Sequence, residues 1–374
     1  MPKPIEFEID QPRLAAALAA AVSVADKRSS NQPILASALI QADTGGVPIT
    51  ATDMQVSMRE KVDGRMVSSG STCISIQYLL RVVATLPAKS LRIKGLDNHW
   101  LSVSVGRSEF KLMGQAPRDF PDLPDPGKNA AWSPASATGV RGLIDRVSFS
   151  VSADEARVNL NGMLLESTGT RATAVSTDGH RLTKYATDLT LPKLDKSVIV
   201  PRRGLAELRK FVDKRSGDIE VCIPDGASGH MFVRDAGAML SLKLSNVVFP
   251  PYEQVIPKNT HRRATVDRAE FMAVLTRAIV MAPEKTATVK LALDKNAMTL
   301  TADNPDLGVA QEEIEVDFKD APIIAGFNAV YFLEALTVMT TAKVLLEFTG
   351  ELDPCVMRPV DGPDFLSVVM PMRI

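Results

Sequence analysis

Three short stretches decide the fold: Thr50-Ala51-Thr52-Asp53, Val175-Ser176-Thr177-Asp178 and Leu300-Thr301-Ala302-Asp303. Each closes a strand-like run, and the aspartates at 53, 178 and 303 are 125 residues apart both times. Two equal intervals with similar flanks mark an internal repeat. Upstream of the first aspartate, residues 5–9 alternate as a strand, and Asp10 is placed to cap a helix running from Pro12. Upstream of the third, 264–266 leads to Asp267 as a cap. Glu270 stands in capping-box position there, and Phe271, Val274, Leu275 and Ala278 share one helical face. The middle copy is weaker, with Trp132 followed by Val140, Leu143, Ile144 and Val147 at helical spacing. Downstream, second helices are predicted over 77–86, 202–212 and 329–339. Strand sets follow over 91–94, 101–105 and 109–112, then 219–223, 230–234 and 239–244, then 343–348, 356–358 and 366–370. Proline-rich joints, with Pro121, Pro124 and Pro126 and then Pro250, Pro251 and Pro257, read as extended linkers. The expected architecture is α+β, with three domains over 1–128, 129–258 and 259–374, each with two helices packed on antiparallel sheets.

Composition narrows the function. The chain has 374 residues, 43 basic and 44 acidic, for a net charge of -1. A protein that grips nucleic acid by charge alone carries a basic excess. Either nucleic acid is no partner, or positive charge is gathered on one face, or attachment is topological. Basic residues do gather on predicted helices: Arg202, Arg203, Arg209 and Lys210 on one, Arg141 and Arg146 on another, with Arg13, Arg81, Arg268 and Arg277 elsewhere. Acidic Glu312, Glu313, Glu315, Asp317 and Asp320 fall on strands and loops. The 329–339 helix breaks the pattern, with Glu334 its only charge. Cys73, Cys222 and Cys355 are odd in number and far apart, which fits a reducing compartment rather than a disulfide framework. No metal is expected, since His99, His180, His230 and His261 lack ligand spacing to one another or to a cysteine. No cofactor is expected either, for want of a phosphate loop or dinucleotide fingerprint. No apolar run is long enough to span a bilayer, and no secretory segment opens the chain, so a cytoplasmic protein with no membrane partner is expected.

Two polar or apolar oddities remain. Thr177-Asp178-Gly179-His180-Arg181-Leu182 reads as a β-turn, as an Asp178–His180 dyad, or as a recognition loop presenting His180 and Arg181. The C-terminus, Ser367-Val368-Val369-Met370-Pro371-Met372-Arg373-Ile374, is apolar to its last residue. It reads as a tucked-in final strand or as an adaptable methionine-lined surface for a peptide.

Taken together, these residues resemble one family along the whole chain. Pro33-Ile34-Leu35, Gly106-Arg107-Ser108, Asp119-Phe120-Pro121, Leu160-Asn161-Gly162-Met163-Leu164, the 177–182 turn, 197–202, Phe249-Pro250 with Tyr252, Gly326-Phe327-Asn328 and 368–374 are similar, in order and spacing, to the bacterial DNA polymerase III beta subunits, the sliding clamps. The resemblance implies a non-catalytic processivity factor. Two chains would close head to tail into a six-domain ring that encircles double-stranded DNA without reading its sequence. It implies a pocket for peptides of the replicative polymerase alpha subunit, the clamp loader delta subunit and other clamp-binding proteins. The positions that match the family pocket are Leu160, Thr177, Gly179, His180, Arg181, Leu182, Pro250, Val255, Asn328, Tyr331, Val368, Met370, Pro371, Met372 and Arg373. DNA contacts would fall to Arg28, Arg157, Arg202 and Arg203, and the homodimer contact to Phe110 and Leu112 against Ile279 and Val280 of the other chain. Val158-Asn159 stands where some relatives carry a tyrosine pair, and Gln77 where some carry a basic residue. The competing readings are a specialised clamp paralogue and a hydrolase using Asp178 and His180.

Overall fold

The computed structural model describes residues 4–26, 32–224 and 229–373. Six α-helices lie among them: α1 (Gln11–Ala21), α2 (Ile76–Thr85), α3 (Ala137–Asp145), α4 (Arg202–Asp213), α5 (Arg268–Val280) and α6 (Ala329–Val338). They fall two to a repeat, as the periodicity predicts. No helix among the described residues is long and apolar enough to cross a membrane.

Among the described residues, strands pair antiparallel and form four sheets gathered into two compact units. One unit comprises 1–137 with 206–244, the other 138–205 with 245–374. In the first, a five-stranded sheet runs Arg65–Ser68, Glu6–Asp10, Ser90–Gly95, Leu101–Val105, Ser108–Leu112. A nine-stranded sheet beside it joins two repeats, because Val56–Val62 of the first pairs with Ala238–Lys243 of the middle one, Met58 opposite Leu240. The second unit repeats the device: Arg181–Asp188 pairs with Asp364–Val369, Leu182 opposite Val368, within another nine-stranded sheet. A four-stranded sheet completes it, in the order Gly308–Glu315, Ala297–Asn304, Thr288–Asp294, Ile323–Asn328. The middle repeat therefore contributes strands to both units.

Local patterns explain the elements. Ser90–Gly95 and Thr288–Asp294 alternate, burying Leu91 and Ile93, and Val289, Leu291 and Leu293, while polar neighbours face solvent. Gly162–Ser167 and Asp364–Val369 are buried on both faces along most of their length, through Met163, Leu164 and Leu165 and through Phe365, Leu366, Val368 and Val369. α5 buries Phe271, Val274, Leu275 and Ala278. It meets α6 through Phe271 and Phe332, ring centroids 5.8 Å apart, and Phe327 stands edge-on to Phe332 at 5.3 Å.

Two predicted details differ. Asp267 caps α5, its carboxylate accepting from Glu270 N–H at 2.9 Å. Asp10 holds the N-cap backbone position of α1 but accepts no cap hydrogen bond. The helix starts at Gln11, so Pro12 occupies the second position and removes one of the two N–H groups open to such a cap; that of Arg13, the counterpart of Glu270 in α5, goes unused by Asp10. The Asp10 carboxylate lies 3.9 Å from Arg13 instead. The third strand also runs past Asp303, which pairs with Val309, and ends at Asn304. Replacing Asp267 by alanine is expected to destabilise the chain by about 1 kcal/mol, read as a lower denaturation midpoint at unchanged slope; no midpoint shift would refute a cap role.

Candidate partner-binding site

The 177–182 segment is a turn built by side-chain-to-backbone bonds. Asp178 Oδ1 accepts from His180 N–H at 2.9 Å and Arg181 N–H at 3.1 Å. Thr177 Oγ1 accepts from Gly179 N–H at 3.1 Å and donates to the Arg181 carbonyl at 2.6 Å. Gly179 adopts φ +90°, where a side chain is strained. The first repeat forms the same turn 125 residues earlier. There Asp53 Oδ1 accepts from Gln55 and Val56 N–H at 2.9 and 2.7 Å, and Thr52 Oγ1 donates to the Val56 carbonyl at 3.0 Å. Its left-handed position is held by Met54 at φ 69°. In the third repeat the turn carboxamide is Asn304, which accepts from Asp306 N–H at 3.0 Å.

The turn settles the competing readings of Asp178. Its second oxygen, Oδ2, accepts from Arg181 Nε at 3.0 Å, so the carboxylate serves backbone and guanidinium rather than an imidazole. His180 is exposed, and its carbonyl accepts from Met370 N–H at 2.9 Å.

Arg181 is buried, only 8% exposed. Its guanidinium also donates to Glu334 and to the Phe149 carbonyl, the latter at 2.6 Å, and lies 4.4 Å from the Tyr331 ring centroid. Tyr331 is itself partly desolvated, which raises its hydroxyl above the ordinary range.

Beside this turn lies a cavity of about 160 Å³ lined by Leu160, Thr177, Gly179, Arg181, Leu182, Pro250, Tyr252, Val255, Val368 and Met370. Its floor continues into an apolar cluster that includes Leu164, Val175, Ile199, Phe249, Val356 and Leu366. Leu160 is held by Leu160 N–H donating to the Arg157 carbonyl at 2.8 Å. Gly162 follows because a Cβ there would sit 2.8 Å from the Val200 carbonyl. The cavity is small, apolar and edged by a few polar groups, the form that takes a leucine or aromatic side chain of a short peptide.

Nine of the residues matched to the family pocket thus share one cavity wall. His180, Asn328, Tyr331, Pro371, Met372 and Arg373 do not line it. Asn328 caps α6, accepting from Val330 N–H at 2.9 Å, and Tyr331 stacks on Arg181. Met372 N–H donates to the Gly326 carbonyl at 2.8 Å, and its sulfur accepts from Thr288 Oγ1 at 3.6 Å. Sequence reasoning missed Tyr252 as a lining residue, although the Phe-Pro joint beside it was the signal. The Tyr252 hydroxyl donates to Glu166 at 3.3 Å; burial, with Glu166 nearby, pushes it up to about 12.

The first unit carries a wider cleft of about 800 Å³ beside its own turn, lined by Leu35, Met54, Gln115 and Pro121 among others. Leu35 and Met54 stand 125 residues before Leu160 and Gly179, so the two clefts are repeat-related in position and different in chemistry.

The expected DNA contacts scatter. Arg157 approaches Asp154 at 3.5 Å and donates to the Asp178 carbonyl at 3.2 Å, next to the turn. Arg202 is exposed at the first position of α4, and Arg203 is half-buried. Arg28 lies outside the described residues. Much of the helical basic charge is matched by the chain's own carboxylates: Arg209 by Asp213, Lys210 by Glu207, Arg277 by Glu312. Phe110 and Leu112 lie on Ser108–Leu112, the last strand of its sheet, with Phe110 37% exposed. Ile279 and Val280 end α5, and Val280 is 71% exposed. Cys73, Cys222 and Cys355 are buried, and burial raises all three thiols, Cys73 to about 12.

Comparison with known proteins agrees with the repeat. Family models for the N-terminal, central and C-terminal domains of the DNA polymerase III beta subunit match residues 5–124, 136–251 and 253–373. A beta sliding clamp of Vibrio cholerae is 31% identical over 91% of this chain and 93% of its own length. The crystal structure of a Pseudomonas aeruginosa sliding clamp bound to griselimycin superposes with a TM-score of 0.92 at 28% identity, covering 99% of this chain and all of that one. The C. crescentus beta sliding clamp, with PEG bound to a putative beta-motif tethering region, gives a TM-score of 0.93 at 26% identity over 99% of this chain and 100% of its own. With its three clamp repeats, its antiparallel sheets and these relatives, the chain belongs to the DNA polymerase III beta subunit family, the bacterial sliding clamps.

Proposed function

We propose that two copies of this chain close head to tail into a ring around duplex DNA, acting as a processivity factor without catalysis of its own. The observation that carries the reading is that, among the described residues, the two sheets not shared between repeats end in free edges, one in the first repeat and one in the third. Ser108–Leu112 ends one sheet and Gly308–Glu315 another. Unpaired edges with exposed apolar neighbours, here Phe110 and Val280, invite pairing with another copy. Two unlike patches on one chain make a heterologous contact, which closes a ring when the rotation permits. Phe110 and Leu112 would meet Ile279 and Val280 of the second copy, with domains taken as 1–128, 129–258 and 259–374. A topological link needs little affinity, which suits a net charge of -1. Arg157, Arg202, Arg203 and Arg28 would give weak, sequence-independent phosphate contacts that allow sliding. The apolar cavity beside the 177–182 turn would tether the replicative polymerase alpha subunit, the clamp loader delta subunit and other proteins carrying a short clamp-binding segment.

The test is retention on nicked circular DNA after loading, measured before and after linearisation. Protein that stays on circles and runs off linear ends is expected. Equal dissociation from both forms would overturn the ring.

A further inference from the structure

Glu334 is the one charge on an otherwise apolar helix, and ring closure or DNA contact gives it no role. Its carboxylate accepts from Arg181, whose guanidinium is held on its other sides by Asp178 at 3.0 Å and the Phe149 carbonyl at 2.6 Å. The Tyr331 and Phe149 rings flank that guanidinium at 4.4 and 5.3 Å. The brace thus links α6 to the turn whose Thr177, Gly179 and Arg181 form one wall of the cavity.

The first repeat is an internal control. It makes the same Thr-Asp turn with the same hydrogen bonds, yet has Val56 where the second has Arg181. The turn therefore folds without an arginine or a carboxylate partner for it. A buried guanidinium also needs compensation that a buried valine does not. The brace is therefore an addition that the turn itself does not need in order to form.

We infer that Glu334 is a positioning residue for the peptide cavity: through Arg181 it holds the turn in its receptive shape. This rests on the cavity being a peptide site. Holding one shape raises affinity by raising the competent fraction of the free protein. Glu334 itself is 41% exposed on its side chain, so its replacement leaves the core intact.

The test uses the full chain and a fluorescein-labelled short peptide bearing a leucine and a phenylalanine, titrated by anisotropy. E334Q is expected to weaken binding about tenfold, as loss of a charge-assisted bond would. E334D, which keeps the charge, is expected to return affinity to within about threefold of the unmodified chain. The melting temperature should fall only slightly for E334Q and less for E334D, because Asp178 and the Phe149 carbonyl still hold the guanidinium. Without peptide, the Arg181 side-chain Nε–H resonance should shift in E334Q and recover in E334D. Unmodified chain that binds while E334Q matches it within about twofold would overturn the brace alone. Failure of the unmodified chain to bind would overturn the cavity reading, and an unmoved Arg181 resonance would overturn the brace without reference to peptide.

Discussion

A chain ending at Val369 is expected to fold normally and to lose binding of the leucine- and phenylalanine-bearing peptide by at least about a hundredfold. The last ladder strand is Asp364–Val369, so the cut removes no strand pairing inside the sheet. What goes is a short segment tied by two backbone bonds, Met370 N–H to the His180 carbonyl at 2.9 Å and Met372 N–H to the Gly326 carbonyl at 2.8 Å, besides the Thr288 Oγ1 contact with the Met372 sulfur. Two net backbone hydrogen bonds are worth about 1–3 kcal/mol, which a chain with this much core tolerates. The cavity suffers more, because Met370 is one of its walls. Burying an apolar side chain against such a wall contributes about 1.5–3 kcal/mol, and the freed His180 carbonyl no longer anchors the turn. Anisotropy titration paired with a thermal melt separates the outcomes. Unchanged affinity in a folded truncation would refute the assignment of the C-terminal segment to the site, and an unfolded product would refute its dispensability for the fold.

Substituting Phe110 by aspartate is expected to convert the proposed dimer to a monomer, weakening association by roughly a thousandfold. Phe110 projects from an edge strand, and an unpaired carboxylate buried there would lose its hydration with no partner supplied. Val280→Asp, on the opposite patch, should act alike, since a head-to-tail contact uses both. Light scattering would read a mass falling from twice 40.4 kDa to that of one chain. Retention on circular DNA should vanish with the dimer. Peptide binding should persist, because every residue lining the cavity belongs to one compact unit of one chain. A dimeric Phe110→Asp protein would refute the assigned interface. A monomer still retained on circles would refute the topological link.

The separation of these two effects reflects how the molecule is built. The proposed peptide cavity is complete within 138–205 and 245–374, whereas the free edges lie on different units. Losing one property therefore leaves the other measurable.

The sequence alone determined the threefold repeat, the six helices and the turn at Asp178, because each rests on local chemistry. Helical spacing of Phe271, Val274, Leu275 and Ala278, an Asp cap, and an Asp-Gly turn need only near neighbours. Resemblance to the clamps added the cavity positions, which periodicity could not reach. Only the tertiary structure decided how repeats share sheets, since Val56–Val62 finds Ala238–Lys243, and Arg181–Asp188 finds Asp364–Val369, nearly two hundred residues away. Such pairings depend on which faces are left apolar after each repeat folds, and no local window records that. Tertiary contacts likewise turned Arg181 inward, onto Asp178 and Glu334, where sequence reading allowed it to face a partner. They brought Tyr252 into the cavity wall, while Asp10 makes no cap bond and its carboxylate lies 3.9 Å from Arg13. A guanidinium can satisfy its donors in solvent or in the protein, and only the arrangement of carboxylates, carbonyls and rings around it makes that choice.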